Sequence, residues 1–233
     1  MNRFLFDEEF NIIQDGETCC IIDQCIAKFN SSEKEKENAT EYVFRDKANN
    51  KIDVVLAKVV ILNEFYSTRL NSNPPQNSKG KKRRLPVDLV NMAKHIVCCQ
   101  DFDRYWSSDD VEEQVKAVAY ISTGESAYKN NKNHCAAYSF ATKYCSWHDS
   151  EKFPIVDGYS KGMLYYLNRE LQFYEKKFQK SLNKTKLNEY SVFCKAYRAL
   201  QSFLRERGKD FSTKDLDKFL WYYGKEHAIK LET

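Results

Sequence analysis

The chain has 233 residues, of which 42% are hydrophobic and 30% charged, a balance that excludes a disordered or fibrous protein. Seven Gly and four Pro leave little turn-forming material, which argues against a sandwich or barrel and for long helices joined by short loops. The net charge of +4 is uneven: residues 1–50 hold eleven acidic and six basic side chains (−5), whereas residues 160–209 hold four acidic and twelve basic (+8). Such a gradient is either a solvated lysine-rich face or an electrostatic footprint for a polyanion.

In chain order, the N-terminus turns acidic after six residues, so no secretory signal and a cytoplasmic protein are expected. No apolar run approaches the roughly 18–20 residues that cross a bilayer, so no membrane partner is expected. Apolar positions from Glu17 to Phe29 follow a helical rhythm, and Ser31-Ser32 followed by Glu35 reads as a capping box opening a second helix over 33–47. Residues 1–50 are therefore read as a helical segment packing on a main body of residues 51–233.

Asp53 is a candidate cap for a helix from Val54 to Leu70, apolar around most of its circumference and hence central to the core. A turn-forming, basic loop follows, ending in Lys79-Gly-Lys-Lys-Arg-Arg84. Pro86 and Asp88 open a helix to Cys99, and Ser108 to Ile121 forms another with acidic residues at its start. A helix over 138–148 places Phe140, Tyr144 and Trp147 at helical spacing. Asp157 begins a long helix to residue 180, with further helices over 188–207 and 214–227, the last announced by Ser212-x-x-Asp215. No segment alternates as a strand, and the fold class expected is all-α: two helical lobes of one globular unit, a monomer.

Eight cysteines contain no Cys-x-x-Cys, and buried free thiols are the expected state. His134-Cys135 with Cys145-x-x-His148 would offer four zinc ligands. Cys145 also lies on the apolar face of the 138–148 helix, where a thiol packs as core, so neither metal nor cofactor is expected.

The most informative stretch is Tyr138-Ser-Phe-Ala-Thr-Lys143, followed fourteen residues later by Asp157 in Phe153-Pro-Ile-Val-Asp-Gly158. A lysine inside an aromatic helix loses water, which disfavours its charged form and favours a nucleophilic amine. A carboxylate one short loop away can orient that amine or stabilise developing positive charge. The competing readings are ordinary: helix lysines snorkel their ammonium to the surface, and Asp157 has the look of an N-cap.

Three blocks together resemble the 8-oxoguanine DNA glycosylases of the helix-hairpin-helix DNA glycosylase superfamily. Ala57-Lys-Val-Val-Ile-Leu-Asn-Glu-Phe-Tyr-Ser-Thr-Arg69 is similar to that family's buried helix and duplex-probing loop. The Lys143 helix with Asp157 is similar to its lysine helix and helix-starting aspartate, and Asp215-Leu-Asp-Lys-Phe-Leu-Trp-Tyr-Tyr223 to its closing C-terminal helix. The resemblance implies a two-lobed helix-hairpin-helix DNA glycosylase-like fold acting on double-stranded DNA that carries a damaged or modified base. Lys143 would attack C1′ of a flipped nucleotide and form a Schiff base, and Asp157 would stabilise the oxocarbenium-like sugar. Tyr66, Ser67, Thr68 and Arg69 would enter the duplex, Lys79, Lys81, Lys82, Arg83 and Arg84 would meet phosphates, and Tyr144 or Trp147 would sandwich the base.

The chain departs from the superfamily where a glycine-rich hairpin usually precedes the lysine helix; Ala136-Ala-Tyr-Ser-Phe stands there instead. The phosphate grip those glycines allow must then differ or come from Lys and Arg side chains. Only Cys194 follows Cys145, so the iron–sulfur cluster of some members is not expected. The substrate is open between an oxidised purine, in repair, and a hypermodified base, since relatives of this fold serve phage defence. A lysine nucleophile also permits associated β-lyase activity. The second function class is a non-catalytic module that binds damaged or modified DNA.

Overall fold

In the computed structural model, residues 11–14, 17–66, 68, 70, 88–123 and 137–230 are described. Two antiparallel strands, β1 (Asn11–Gln14) and β2 (Glu17–Cys20), pair with Asn11 opposite Cys20 and Gln14 opposite Glu17. Among the described residues everything else regular is helical, so the all-α expectation holds apart from this short hairpin.

The chain divides into two units, one built from residues 1–34 and 156–233, the other from residues 35–155. The sequence reading places its division at residue 50, between an N-terminal segment and a main body of residues 51–233. The N-terminal segment joins the C-terminal helices because its apolar side chains find partners there: Phe29 meets the edge of Trp221 at 5.6 Å, and Lys218 donates to Asn30.

The split unit holds the hairpin, the first part of α1 (Ile21–Phe44), α7 (Gly158–Leu171), α8 (Phe173–Phe178), α9 (Tyr190–Arg205) and α10 (Thr213–Glu226). Helix α7 packs on α9 and α10, and α8 packs on α9. Leu164, Leu167, Phe193, Leu200, Phe219 and Leu220 are fully buried between them. The continuous unit holds the rest of α1, then α2 (Ile52–Phe65), α3 (Leu89–Val97), α4 (Phe102–Ser107), α5 (Val111–Thr123) and α6 (Tyr138–His148). Helix α2 packs on α3 and α6, and α5 on α4 and α6. Val55, Val59, Leu62, Ile96, Val118 and Phe140 form its dry interior.

Four local expectations change. Ser31 and Ser32 do not cap a second helix; their hydroxyls donate back to the carbonyls of Lys28 and Phe29, so α1 runs unbroken for 24 residues. The segment from Glu17 enters as a strand, and α1 starts only at Ile21. Helix α2 is capped at Lys51, with Asp53 inside its first turn, and it ends at Phe65 rather than Leu70. The long helix expected from Asp157 breaks at Gln172, which adopts φ 54°, because Asn168 Oδ1 captures the amide of Tyr174. Asp88 and Ser212 cap their helices as expected, accepting from Asn91 N–H and Asp215 N–H.

Among the described residues, six cysteines carry free thiols, and Cys20, Cys25, Cys145 and Cys194 are buried. No described helix is long and apolar enough to cross a membrane.

Candidate functional site

Helix α6 occupies the interior of the continuous unit: every residue from Phe140 to Ser146 is buried. Its entry is tied down by Ala137 N–H donating to Ser122 O at the end of α5. Lys143 is therefore drawn into the protein with 7% of its surface exposed. Its ammonium does not snorkel out, but donates to the carbonyl of Tyr66 at 3.2 Å.

That acceptor exists because Tyr66 caps the C-terminus of α2, where the last carbonyls have no intrahelical partner and carry the negative end of the helix dipole. Beyond it the chain is pinned to α2: Thr68 Oγ1 donates to Leu62 O, and the buried Asn63 side chain accepts from Leu70 N–H at 2.7 Å. Two blocks that the sequence separates by 77 positions, the α2 loop and the lysine helix, thus meet at Lys143.

Trp147 lies one helical turn from Lys143 on α6 and is half-buried. Its ring contacts Tyr66 edge-on at 5.9 Å and Phe44 at 5.9 Å, while its carbonyl accepts from Lys47 Nζ at 2.7 Å. The Lys143 bond to the Tyr66 carbonyl and the contact between the Tyr66 and Trp147 rings tie these three residues into one cluster, with both aromatic residues half-buried.

Tyr144 does not belong to it. The residue is fully buried, its hydroxyl donates to Asn49 Oδ1, and its ring packs on Phe44, Phe140 and His148. Burial pushes its phenol well above the ordinary range. The expectation that Tyr144 sandwiches a base is corrected: a ring enclosed on all sides is core.

Asp157 caps α7 in a full capping box. Its Oδ1 accepts from the amides of Tyr159 and Ser160, each at 2.9 Å, while Ser160 Oγ accepts from the Asp157 amide. One turn on, Lys161 is 2% exposed and donates to Asn188 Oδ1 at 2.7 Å. Burial lowers the Lys161 ammonium below its ordinary range, and the Asp157 charge works against that shift. Lys143 belongs to the continuous unit and Asp157 to the split unit.

Residues Ser67, Arg69, Lys79, Lys81, Lys82, Arg83 and Arg84 lie outside the described residues, as do His134 and Cys135. Among the described residues, no three His, Cys, Asp or Glu side chains gather where they could hold a metal. Cys145 is fully buried, and burial raises its thiol well above the ordinary range. His148 stacks on Trp106 at 4.9 Å, and its Nε2 is buried with no hydrogen-bond partner. Burial, with Lys58 and Lys47 nearby, pushes its imidazole well below its usual range.

Sequence reasoning passed over Lys58, although a lysine inside the most apolar helix was the signal. It is fully buried, with Nζ 2.8 Å from Ala48 O and 3.4 Å from Asn49 Oδ1. Desolvation lowers its ammonium to about 8; Asp46 opposes the shift and Lys47 adds to it. Lys47, Lys58, Lys143 and Lys152 each end on a main-chain carbonyl. Lys143 ends on Tyr66 and Lys47 on Trp147, the two residues whose rings meet.

A family model named HI_0787_N, described as an N-terminal domain, matches residues 21–152, a span that includes Lys143 and stops short of Asp157. An uncharacterised protein of Haemophilus influenzae is 31% identical over 179 residues, covering 75% of this chain and 68% of that protein. No solved structure matches the chain.

Proposed function

This chain belongs to the HI_0787_N family, and for it we propose DNA N-glycosylase activity: excision of a damaged or modified base from a flipped nucleotide. In this reading the Lys143 amine, as the free base, donates its lone pair to C1′. The glycosidic bond breaks, the base leaves with the bonding electrons, and the amine sheds a proton. Ring opening then yields an imine, which either hydrolyses or allows β-elimination of the 3′ phosphate. Asp157 supplies the negative charge that favours the cationic sugar. The base removed is an oxidised purine or a hypermodified phage base, and the finer fold, helix-hairpin-helix glycosylase-like, belongs to the same proposal.

The observation that carries the reading is the buried Lys143 amine on the carbonyl of half-buried Tyr66, the residue whose ring meets that of Trp147. Lys47 is exposed, and the half-buried Lys152 also pairs with Asp109 at 3.0 Å, so of these three lysines only Lys143 is buried. Asp157 adds support: its capping bonds fall on Oδ1, which holds the carboxylate rigid while half of it remains for other work.

The test is borohydride trapping with a panel of duplexes carrying oxidised purines or hypermodified bases. The expected result is a covalent adduct on at least one duplex that disappears in Lys143→Ala. Base release at the normal rate by Lys143→Ala would refute the lysine mechanism. Tight binding to such a duplex with no base release would mark a non-catalytic reader instead.

A further inference from the structure

The split unit carries a cationic ridge that the proposed chemistry does not use. From Lys176 to Asn188 the chain contains five lysines (Lys176, Lys177, Lys180, Lys184 and Lys186) and no acidic residue, and all five are exposed. None forms an ion pair among the described residues, and neither does Arg207.

The tertiary structure gathers part of this charge along α9, while Lys184 Nζ lies 5.1 Å from the centre of the Tyr165 ring on α7. Lys176 Nζ lies 5.9 Å from the centre of the Phe203 ring on α9, and the Arg207 guanidinium 3.5 Å from the same ring. Lys177 donates to Ser202 Oγ on the same helix. Glu175, the carboxylate placed to neutralise them, is turned inward: its Oε1 accepts from Leu182 N–H and Asn168 Nδ2, each at 3.0 Å. Leu182 and Leu187 are buried and fix the segment, and Asn183 Oδ1 accepts from Lys186 N–H at 2.8 Å. The lysines therefore stand on an anchored backbone. Exposed Glu189 and Glu206 adjoin the segment in sequence but form no ion pair with these cations, and unpaired like charges repel one another until a polyanion replaces their counterions.

We propose that this ridge binds the phosphate backbone of double-stranded DNA. The identity of the polyanion rests on the glycosylase reading. Its chemistry also favours nucleic acid over a lipid surface, because the exposed residues between the lysines are the polar Gln179, Ser181, Asn183 and Thr185, and the half-buried Phe178 packs on the Tyr174 ring at 4.8 Å.

The experiment uses the full chain and a fluorescent, unmodified duplex, with affinity followed by anisotropy from about 50 to 200 mM salt. The variant is Lys180→Gln/Lys184→Gln/Lys186→Gln, checked for an unchanged thermal midpoint, with the matching triple Lys→Arg variant as charge-preserving control. Each phosphate that is no longer neutralised flattens the slope of log affinity against log salt by about 0.9, so a reduction of about 2–3 is expected, with the Arg variant like wild type. An unchanged slope overturns the ridge, as does wild-type protein with no salt-dependent affinity for DNA. Loss of binding to phosphatidylserine vesicles without loss of DNA binding would reassign the ridge to a membrane and overturn it too. DNA binding that depends on the ridge, with no trapped adduct on any duplex, would leave the ridge standing and refute the glycosylase reading alone.

Discussion

The ammonium of Lys143 closes the C-terminus of α2 by donating to the carbonyl of Tyr66 at 3.2 Å. One side chain thus ties α6 to the end of α2. The structural role and the proposed nucleophilic role fall on the same atom, and substitutions can pull them apart.

Lys143→Met keeps the stem and removes the donor, so it should lower unfolding free energy by about 1–2 kcal/mol through the missing hydrogen bond. Lys143→Arg keeps a donor for the Tyr66 carbonyl but offers no nucleophile at neutral pH. Urea unfolding of the arginine variant is expected near wild type while borohydride trapping is abolished. A trapped adduct of normal yield in Lys143→Arg would place the nucleophile elsewhere.

Asp157 separates in the same way. Asn serves as well as Asp at an N-cap, so Asp157→Asn should retain the thermal midpoint, whereas Asp157→Ala loses the amide bonds of Tyr159 and Ser160 at about 1 kcal/mol. Both variants remove the negative charge, and base release is expected to drop on the order of 10²-fold or more. Asp157→Asn with wild-type turnover would confine the residue to capping.

Lys58 predicts a pH dependence of stability. Its folded pKa, about 8, lies below the ordinary 10.5, so between these values the unfolded chain holds a proton that the folded chain has released. Stability from this group therefore rises with pH from about 8 towards 10.5, and below 8 the buried ammonium carries its full desolvation penalty. Buried Cys25, raised to about 11, and Tyr223, raised to about 12, act in the opposite sense at higher pH, so a difference measurement is needed. Urea unfolding of wild type and Lys58→Met between pH 7 and 10 should show the wild-type advantage growing with pH; a flat difference would count against the shift.

Gly162 on α7 admits the chain end at van der Waals distance. A Cβ there would meet Ile229 O at 2.6 Å and Ile229 C at 2.9 Å, both backbone atoms that cannot turn aside. Gly162→Ala should destabilise by about 1–3 kcal/mol, despite the better helix propensity of Ala. Thermal unfolding checks this, and truncation before residue 229 should relieve the effect.

Much of the helical scaffold was readable along the chain because its determinants are local. The bounds of α6, the capping aspartates at 88 and 157 and the cap at Ser212 depend on residues within one turn of each other. The apolar circumference of α2 likewise marked it as central, and Val55, Val59 and Leu62 are fully buried. Reading failed where a side chain chose between two local partners. Ser31 and Ser32 bonded backward inside α1 instead of forward as caps, and Asn168 took the amide that would have continued α7.

The sequence by itself determined that this is a helical protein with one lysine in an aromatic helix and one aspartate opening the next, since periodicity and capping act over a few residues. Only the tertiary structure decided what surrounds them. It enclosed Tyr144 and left Trp147 half-open on the same helix, brought Tyr66 to Lys143 across 77 positions, and turned Glu175 away from the lysines beside it. Those outcomes depend on which distant surfaces exclude water together, and no short-range pattern encodes that.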